Sequence, residues 1–548
     1  MKSKPMQSIP LILLFAATWF ASSVQSATVA YWRFETGPAN TDVAHAGADG
    51  AFSGTTPDVS GNGNSLSTWS PGGWAGFAYR TNVPFATVTQ NRSSNQFSVK
   101  NTGSFPAMFT SAAGSSPTGI NAQTMTPAQF TIEVSYKAEA NAGYRTVVGR
   151  DAKSVDPANT NLAALYLQVR PDDSVCISFT DVSGYTHTAF SPPGWIYGFN
   201  FGSNPEGTNT PWYNLAAVSD GSTLKLYVNY VLVATNDMTT SGSPNRALAK
   251  GSFSGTDWTT GAWSVGRGLY AGGHTDRAYG FIDEVRISNS GLTPAEFLIA
   301  PRPRIEIISI AGGNAVLNVT GGQPGATCYL MQSSNAAMPM TSWGTLSVKM
   351  FDTNGNSSFT TPFNAGMAKM FYAIKANVST TPPIGALTYS LASGSETWPA
   401  DVRTRIIYAM DGAVAQYNRY GTFNKHITVN YNTGVPTAQA NYDGWLEFGA
   451  NASYQQYRTA LHETGHTLGM GTTWQWRANL SVASGTGTWI GANGVAQIQT
   501  FDGAGGTITS DGTHFWPYGL NYDSEGNTES YRRHVLMMAA FRKDMGIQ

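Results

Sequence analysis

The chain has 548 residues, 41% hydrophobic and only 12% charged, with a formal net charge of −1. That near-neutral balance supplies no long-range field to gather nucleic acid or an anionic membrane surface. The length exceeds what one hydrophobic core fills, so about three domains are expected. The 59 Gly and 12% aromatic residues, with closely spaced turn signals, favour β-rich architecture.

At the start, Lys2 and Lys4 precede an apolar run from Ile9 to Ala21, and small residues occupy Ser22 to Ala27. Residues 1–27 therefore read as a secretory signal peptide, the run being too short to span a bilayer. The mature protein is expected to be secreted, and no later segment approaches the roughly 20 apolar residues of a membrane span. Export admits disulfides, but the two Cys, Cys176 and Cys328, are too few for a disulfide scaffold. They fall in different predicted domains, so two buried thiols are expected.

Residues 28–301 form the first predicted domain. Val29–Glu35, Phe130–Tyr136, Leu165–Arg170, Trp212–Val218, Leu224–Tyr230 and Phe281–Ile287 read as short strands between Gly, Ser and Asn turns, the pattern of an antiparallel sandwich. Tyr31-Trp32-Arg33-Phe34, Trp212-Tyr213-Asn214-Leu215-Ala216, and Gly280 to Ile287 with its closing Leu292-Thr293-Pro294-Ala295-Glu296-Phe297 resemble the LamG-like, concanavalin A-type jelly roll. That resemblance implies a domain able to take a glycan or protein ligand, sometimes with Ca²⁺. Asp283 and Glu284 read as structural polar residues at a strand edge rather than as ligands of an ion or sugar. Residues 304–376 follow Pro301-Arg302-Pro303, and Ile305–Ile310, Ala315–Val319, Cys328–Met331 and Met370–Ile374 read as strands of a small sandwich, similar to fibronectin-like spacers. Residues 377–385, with Thr-Thr-Pro-Pro, read as an extended linker.

Residues 386–548 carry the chemistry. Ala400 to Tyr420 has helical periodicity, His426–Tyr431 and Gly444–Gly449 read as strands, and then comes His462-Glu463-Thr464-Gly465-His466. Imidazoles four apart share one helix face, about 5–6 Å between their Cβ atoms, so both reach one small cation. Two such ligands with a third hold Zn²⁺ with a position left for water, and the glutamate beside the first is placed to take a proton from it. Asn451 offers a helix N-cap before the motif and Gly469 a left-handed stop after it.

Helix, strands, then H-E-x-x-H resembles the upper subdomain of zincin metallopeptidases. The resemblance implies that the strand before the helix pairs with substrate backbone, making Trp445 to Phe448 the candidate substrate edge, with Trp445 and Phe448 as substrate-binding residues. Gly469 falls where metzincins place the glycine of H-E-x-x-H-x-x-G-x-x-H, but Thr472 stands at the third-ligand position and a hydroxyl binds zinc poorly. The third ligand must come from elsewhere. His514, in an aromatic and Gly-rich loop suited to lining a cleft, is favoured, with His534 and the carboxylates Asp511, Asp523 and Glu525 as alternatives. Val535 to Met545 resembles the metzincin Met-turn and closing helix, with Met537 or Met538 as a soft floor below the metal or as plain core. Tyr518 and Tyr522 are candidates to stabilise an oxyanion, and Trp474, Trp476 and Arg477 to shape specificity pockets or simply pack.

The fold expected is therefore an all-β jelly-roll sandwich, a small β-sandwich spacer and an α+β zincin-like domain. The function expected is a secreted zinc metallopeptidase acting on a polypeptide or glycoprotein. Glu463 and Tyr522 would be catalytic, His462, His466 and His514 would hold the metal, and the lectin-like domain would dock a glycan. The rival reading is a carbohydrate- or surface-binding protein whose third domain is catalytically degenerate, kept open by Thr472. A glycan-cleaving jelly roll is a third, but no paired-carboxylate strand motif supports it.

Overall fold

The computed structural model describes residues 28–547 except 45–55, 69–75, 103–106, 111–118, 141–142, 209, 254–259, 312, 324–325, 353–354, 363–369, 377–386 and 483–484. The signal-peptide reading and the 377–385 linker lie outside the described residues.

Two antiparallel sheets face each other in the first domain. An eight-stranded sheet runs in the order Val231–Asp237, Thr223–Val228, Tyr213–Ser219, Phe130–Ala138, Gly280–Ser288, Ser98–Asn101, Phe77–Arg80, with Thr28–Trp32 also on Gly280–Ser288. The seven-stranded sheet runs Thr186–Phe190, Val175–Thr180, Ala163–Val169, Arg145–Lys153, Trp263–Val265, Met108–Thr110, Leu66–Thr68. Alternation along each strand sends one set of side chains inward, and Trp32, Ile132, Tyr136, Leu165, Leu167, Trp263 and Ile287 make the core between the sheets. Charged residues on the opposite face are paired: Arg286 binds Glu133, and Arg33 and Tyr31 bind Glu284. Asp283 accepts from Asn95 at 2.9 Å, so both acidic residues of the Phe281–Ile287 phrase serve the structure. The Leu292–Phe297 phrase closes through a turn, Thr293 N donating to the Glu296 carboxylate at 2.8 Å. Phe297 then packs edge-on against Tyr227.

The second domain is a sandwich of two three-stranded sheets. One holds Arg304–Ala311, Asn314–Thr320 and Ser357–Pro362; the other holds Gly344–Met350, Thr327–Ser333 and Phe371–Ala376. Leu317, Cys328, Leu330 and Phe359 fill its interior. Cys176 and Cys328 are both buried free thiols in separate domains, and burial raises each above the usual thiol range, Cys176 to about 12 and Cys328 to about 11.

In residues 387–547, α1 (Ala400–Tyr420) buries the stripe Val402, Ile406, Ala409, Met410, Ala413 and Tyr417, the spacing that gives one apolar helix face. A four-stranded sheet has the order Leu387–Leu391, Lys425–Tyr431, Trp445–Phe448, Ala438–Ala440. The first three strands are parallel and the last is antiparallel to its neighbour. The Trp445–Phe448 strand is therefore interior, correcting its reading as an edge: the outer strand beyond it is Ala438–Ala440. Phe448 is a core residue with no exposed surface, while Trp445 is 39% exposed. Next come α2 (Tyr457–Thr467), α3 (Trp474–Ala478), α4 (Ala492–Asp502) and α5 (Thr528–Met545). Met537 and Met538 lie fully buried within α5, so the turn reading of that stretch fails and both are core. Among the described residues no helix is long and apolar enough to cross a membrane.

Candidate metal centre

Every residue of α2 from Arg458 to Thr467 is buried, which makes this short helix the centre of its domain. Asn451 caps the preceding turn, Ala452–Tyr454, rather than α2 itself, whose N-cap Gln456 makes no side-chain cap. Gly465 belongs inside the motif for a packing reason: a Cβ there would meet Met470 Cε at 3.1 Å, and Tyr417 Oη and His534 Nε2 at 3.4 Å. The helix stops at Thr467, and Gly469 takes φ +115°, a region that L side chains rarely adopt.

His462 Nδ1 donates to the Gly519 carbonyl and His466 Nδ1 to the Met470 carbonyl, each at 2.8 Å. A carbonyl only accepts, so both protons sit on Nδ1 and both Nε2 atoms offer lone pairs. Those two atoms lie 3.1 Å apart. Two facing lone pairs at that separation repel unless a cation or proton lies between them. Zinc–nitrogen bonds of about 2.0–2.1 Å at a tetrahedral angle put two ligand nitrogens about 3.3 Å apart, close to what is seen.

His514 joins the pair. Its ring lies 5.4 Å from that of His462 and 5.6 Å from that of His466, centroid to centroid. One ligand atom from each of the three falls within 4.8 Å of the others, the group of metal-type side chains that converges in this way among the described residues. Asp511 steers His514: its Oδ2 accepts from Nδ1 at 3.0 Å and its Oδ1 from the backbone N–H groups of Thr513 and His514. Burial pushes the Asp511 carboxyl upward, but those hydrogen bonds outweigh it and hold the group below the usual range. Gly471 lets this loop come close, since a Cβ there would fall on the Thr513 carbonyl.

Electrostatics keep His462 and His466 neutral. Burial, then the neighbouring His466, holds His462 well below the usual imidazole range, and burial lowers His466 to about 4. Burial raises Glu463 to about 8 against the opposing pull of Arg458. Glu463 Oε2 is buried with no hydrogen-bond partner among the described residues. Three converging imidazoles beside a carboxyl whose oxygen is unsatisfied fit a divalent cation such as Zn²⁺.

The remaining candidates are placed as follows. His534 is fully buried behind the site, with Nδ1 on the Tyr518 carbonyl and Nε2 2.9 Å from Tyr417 Oη. Asp523 accepts from Arg458, and Glu525 accepts from Asn521 N. Thr472 donates its hydroxyl to the His466 carbonyl. Tyr518 gives its hydroxyl to Asp502, which removes it as an oxyanion donor. Tyr522 is 64% exposed, three residues past Gly519. Trp476 is buried in the aromatic core and Trp474 is 74% exposed. Sequence reasoning missed Arg458, which donates to the Leu520 carbonyl at 2.6 Å; its position four residues before His462 was the available signal.

Comparisons with known proteins speak to the first domain. Residues 112–297 match the family model of the concanavalin A-like lectin/glucanases superfamily. No curated protein matches the chain. Similar solved structures include the Ruminococcus gnavus IT-sialidase CBM40 bound to α2,3-sialyllactose, at 18% identity, 32% of this chain, 82% of that one and TM-score 0.23. Domain 4 of AbnA, an extracellular arabinanase from Geobacillus stearothermophilus in complex with arabinotriose, is similar at 15% identity, 50% of this chain, 96% of that one and TM-score 0.29. Taken with the two facing sheets, the family match identifies residues 112–297 as a concanavalin A-like jelly-roll domain.

Proposed function

We propose that the chain is a secreted zinc-dependent hydrolase of polypeptide or glycoprotein, docked on a glycan or surface by its jelly roll. The observation that carries this reading is the convergence of one ring nitrogen each from His462, His466 and His514, with Glu463 on the same buried helix as the first two. Held by His462, His466 and His514, zinc would supply a Lewis acid for the scissile carbonyl and acidify a water. Glu463 takes the proton of the attacking water and returns it to the leaving amine. Tyr522, exposed on the loop beyond Gly519, is the donor we assign to the developing oxyanion. The zincin-like resemblance assigns substrate backbone to an edge strand, and here that role passes to Ala438–Ala440, with Trp445 touching substrate from the adjoining strand.

In the metal-loaded protein, Glu463→Gln is expected to abolish peptide hydrolysis and leave zinc content unchanged, measured by cleavage of a denatured protein and by metal analysis. Full activity in that variant sinks the hydrolase reading. His514→Ala is expected to lose stoichiometric zinc.

The second reading is a carbohydrate- or surface-binding protein without catalysis, favoured by the superfamily match over residues 112–297. Glycan-array binding by the full-length Glu463→Gln variant separates docking from cleavage. Glycan binding with no hydrolysis by the wild-type chain would establish this reading instead.

A further inference from the structure

The segment Tyr518–Leu520 has a backbone that its sequence does not favour. Tyr518 has φ 69° and Leu520 has φ 61°, a region costly for side chains with a Cβ. Gly519 between them is obligatory, because a Cβ there would fall on the Phe515 carbonyl. Such a conformation persists only where its surroundings over-determine it.

Three successive carbonyls of this segment are each held by a buried side chain from a helix. His534 Nδ1 on α5 donates to Tyr518 O at 2.8 Å, His462 Nδ1 on α2 to Gly519 O at 2.8 Å, and Arg458 Nη1 on α2 to Leu520 O at 2.6 Å. The middle donor is a candidate metal ligand. The orientation of the Gly519 carbonyl fixes which nitrogen of His462 carries the proton and where Nε2 points. His534 reaches the third ligand as well: its ring stacks on Phe515, the residue after His514, at 5.7 Å and 16° between planes. Its Nε2 faces Tyr417 Oη, which also reaches Leu461 O next to His462.

We propose that His534 and Arg458 are positioning residues for the metal, acting by clamping the carbonyls on either side of Gly519 so that His462 and His514 converge on His466. This rests on the three-histidine reading of the site. Outer partners of metal ligands set affinity without touching the metal, and their loss typically costs 10–100-fold in binding. A purely structural role for His534 would change the stability of the fold and leave the affinity and ligand field of the folded protein unchanged.

The test uses the full chain as wild type, His534→Leu, His534→Gln and Arg458→Met. Each is checked for folding by circular dichroism, titrated with zinc against a chromogenic chelator, and loaded with Co²⁺ for its visible absorption spectrum. His534→Leu is expected to bind zinc about 10–100-fold more weakly, with a shifted Co²⁺ spectrum and full stoichiometry at saturating metal. His534→Gln, which keeps a donor for Tyr518 O, is expected to recover most of the affinity, and Arg458→Met to weaken it in the same sense. Wild-type affinity and an unchanged Co²⁺ spectrum in folded His534→Leu and Arg458→Met would overturn the clamp and leave the zinc reading standing. If His534→Leu does not fold, Arg458→Met decides by the same two measurements. A wild-type chain that takes up no zinc would overturn the three-histidine reading and the clamp together.

Discussion

An imidazole sealed from water stays neutral well below the pH at which a free one takes up a proton. Burial lowers His534 to about 4, so between roughly pH 6.5 and 4 the unfolded chain binds a proton there that the folded chain refuses. Its contribution to stability is therefore present above pH 6.5 and is lost as the pH falls. The metal-free protein should unfold at lower urea at pH 5 than at pH 7. His534→Gln should shrink that difference by about 1–2 kcal/mol, one proton being worth about 1.4 kcal/mol per pH unit. An undiminished difference would show that His534 titrates normally. His462, Glu463 and His466 were legible because a four-residue spacing fixes which side chains share a helix face. His514 emerged only from the demand for a third donor. Arg458 and His534 went unread as partners because they act on main-chain carbonyls of a segment without period, which no residue pattern encodes.

At the scale of elements, the turn after α2 brings the His514 loop to the motif. Gly469 and Gly471 both have positive φ, but their surroundings differ. A Cβ at Gly469 meets the flexible end of Met545 at 3.3 Å, whereas one at Gly471 strikes the Thr513 backbone. Gly469→Ala should thus cost about 1–2 kcal/mol from its backbone alone. Gly471→Ala should cost more and also weaken zinc binding by displacing His514; thermal melts with and without zinc would distinguish the two. Helix α1 was read from sequence with its observed limits because its apolar stripe repeats at helical spacing. The order of the strands was not, because chain neighbours need not be sheet neighbours. Ala438-Gln439-Ala440 has neither β-branched nor aromatic residues to announce a strand, so the outer position went to the conspicuous Trp445–Phe448.

On the scale of the molecule, the jelly roll packs directly on the domain that carries the histidines. Tyr408 on α1 donates to Asp172, 236 residues away in sequence, and Arg419 donates to the Trp195 carbonyl, 224 residues away, at 2.5 Å. The Arg419 guanidinium lies over the rings of Trp195 and Tyr213, and Arg532 on α5 lies over Tyr197. Gly194 takes φ +72° against Tyr457, the first residue of α2, whose hydroxyl a Cβ would strike. Arg419→Met should cost about 2 kcal/mol by losing a half-buried charged hydrogen bond and its ring contacts. Calorimetry should show the jelly-roll and histidine-domain transitions shifting down together; movement of one alone would mean that the two melt independently. The strands of the jelly roll were readable from turn spacing, but this pairing was not, since it rests on single residues scattered over two distant stretches.

The Arg419 and Gly194 contacts bear on how such a protein can diversify. Modules strung on flexible tethers can be exchanged like beads, because neither neighbour reads the other's surface. Here the first bead supplies the seat for the start of the helix that carries two of the three imidazoles. A transplanted jelly roll lacking the Pro193-Gly194-Trp195 corner would leave that helix unsupported, so these two domains must change in step.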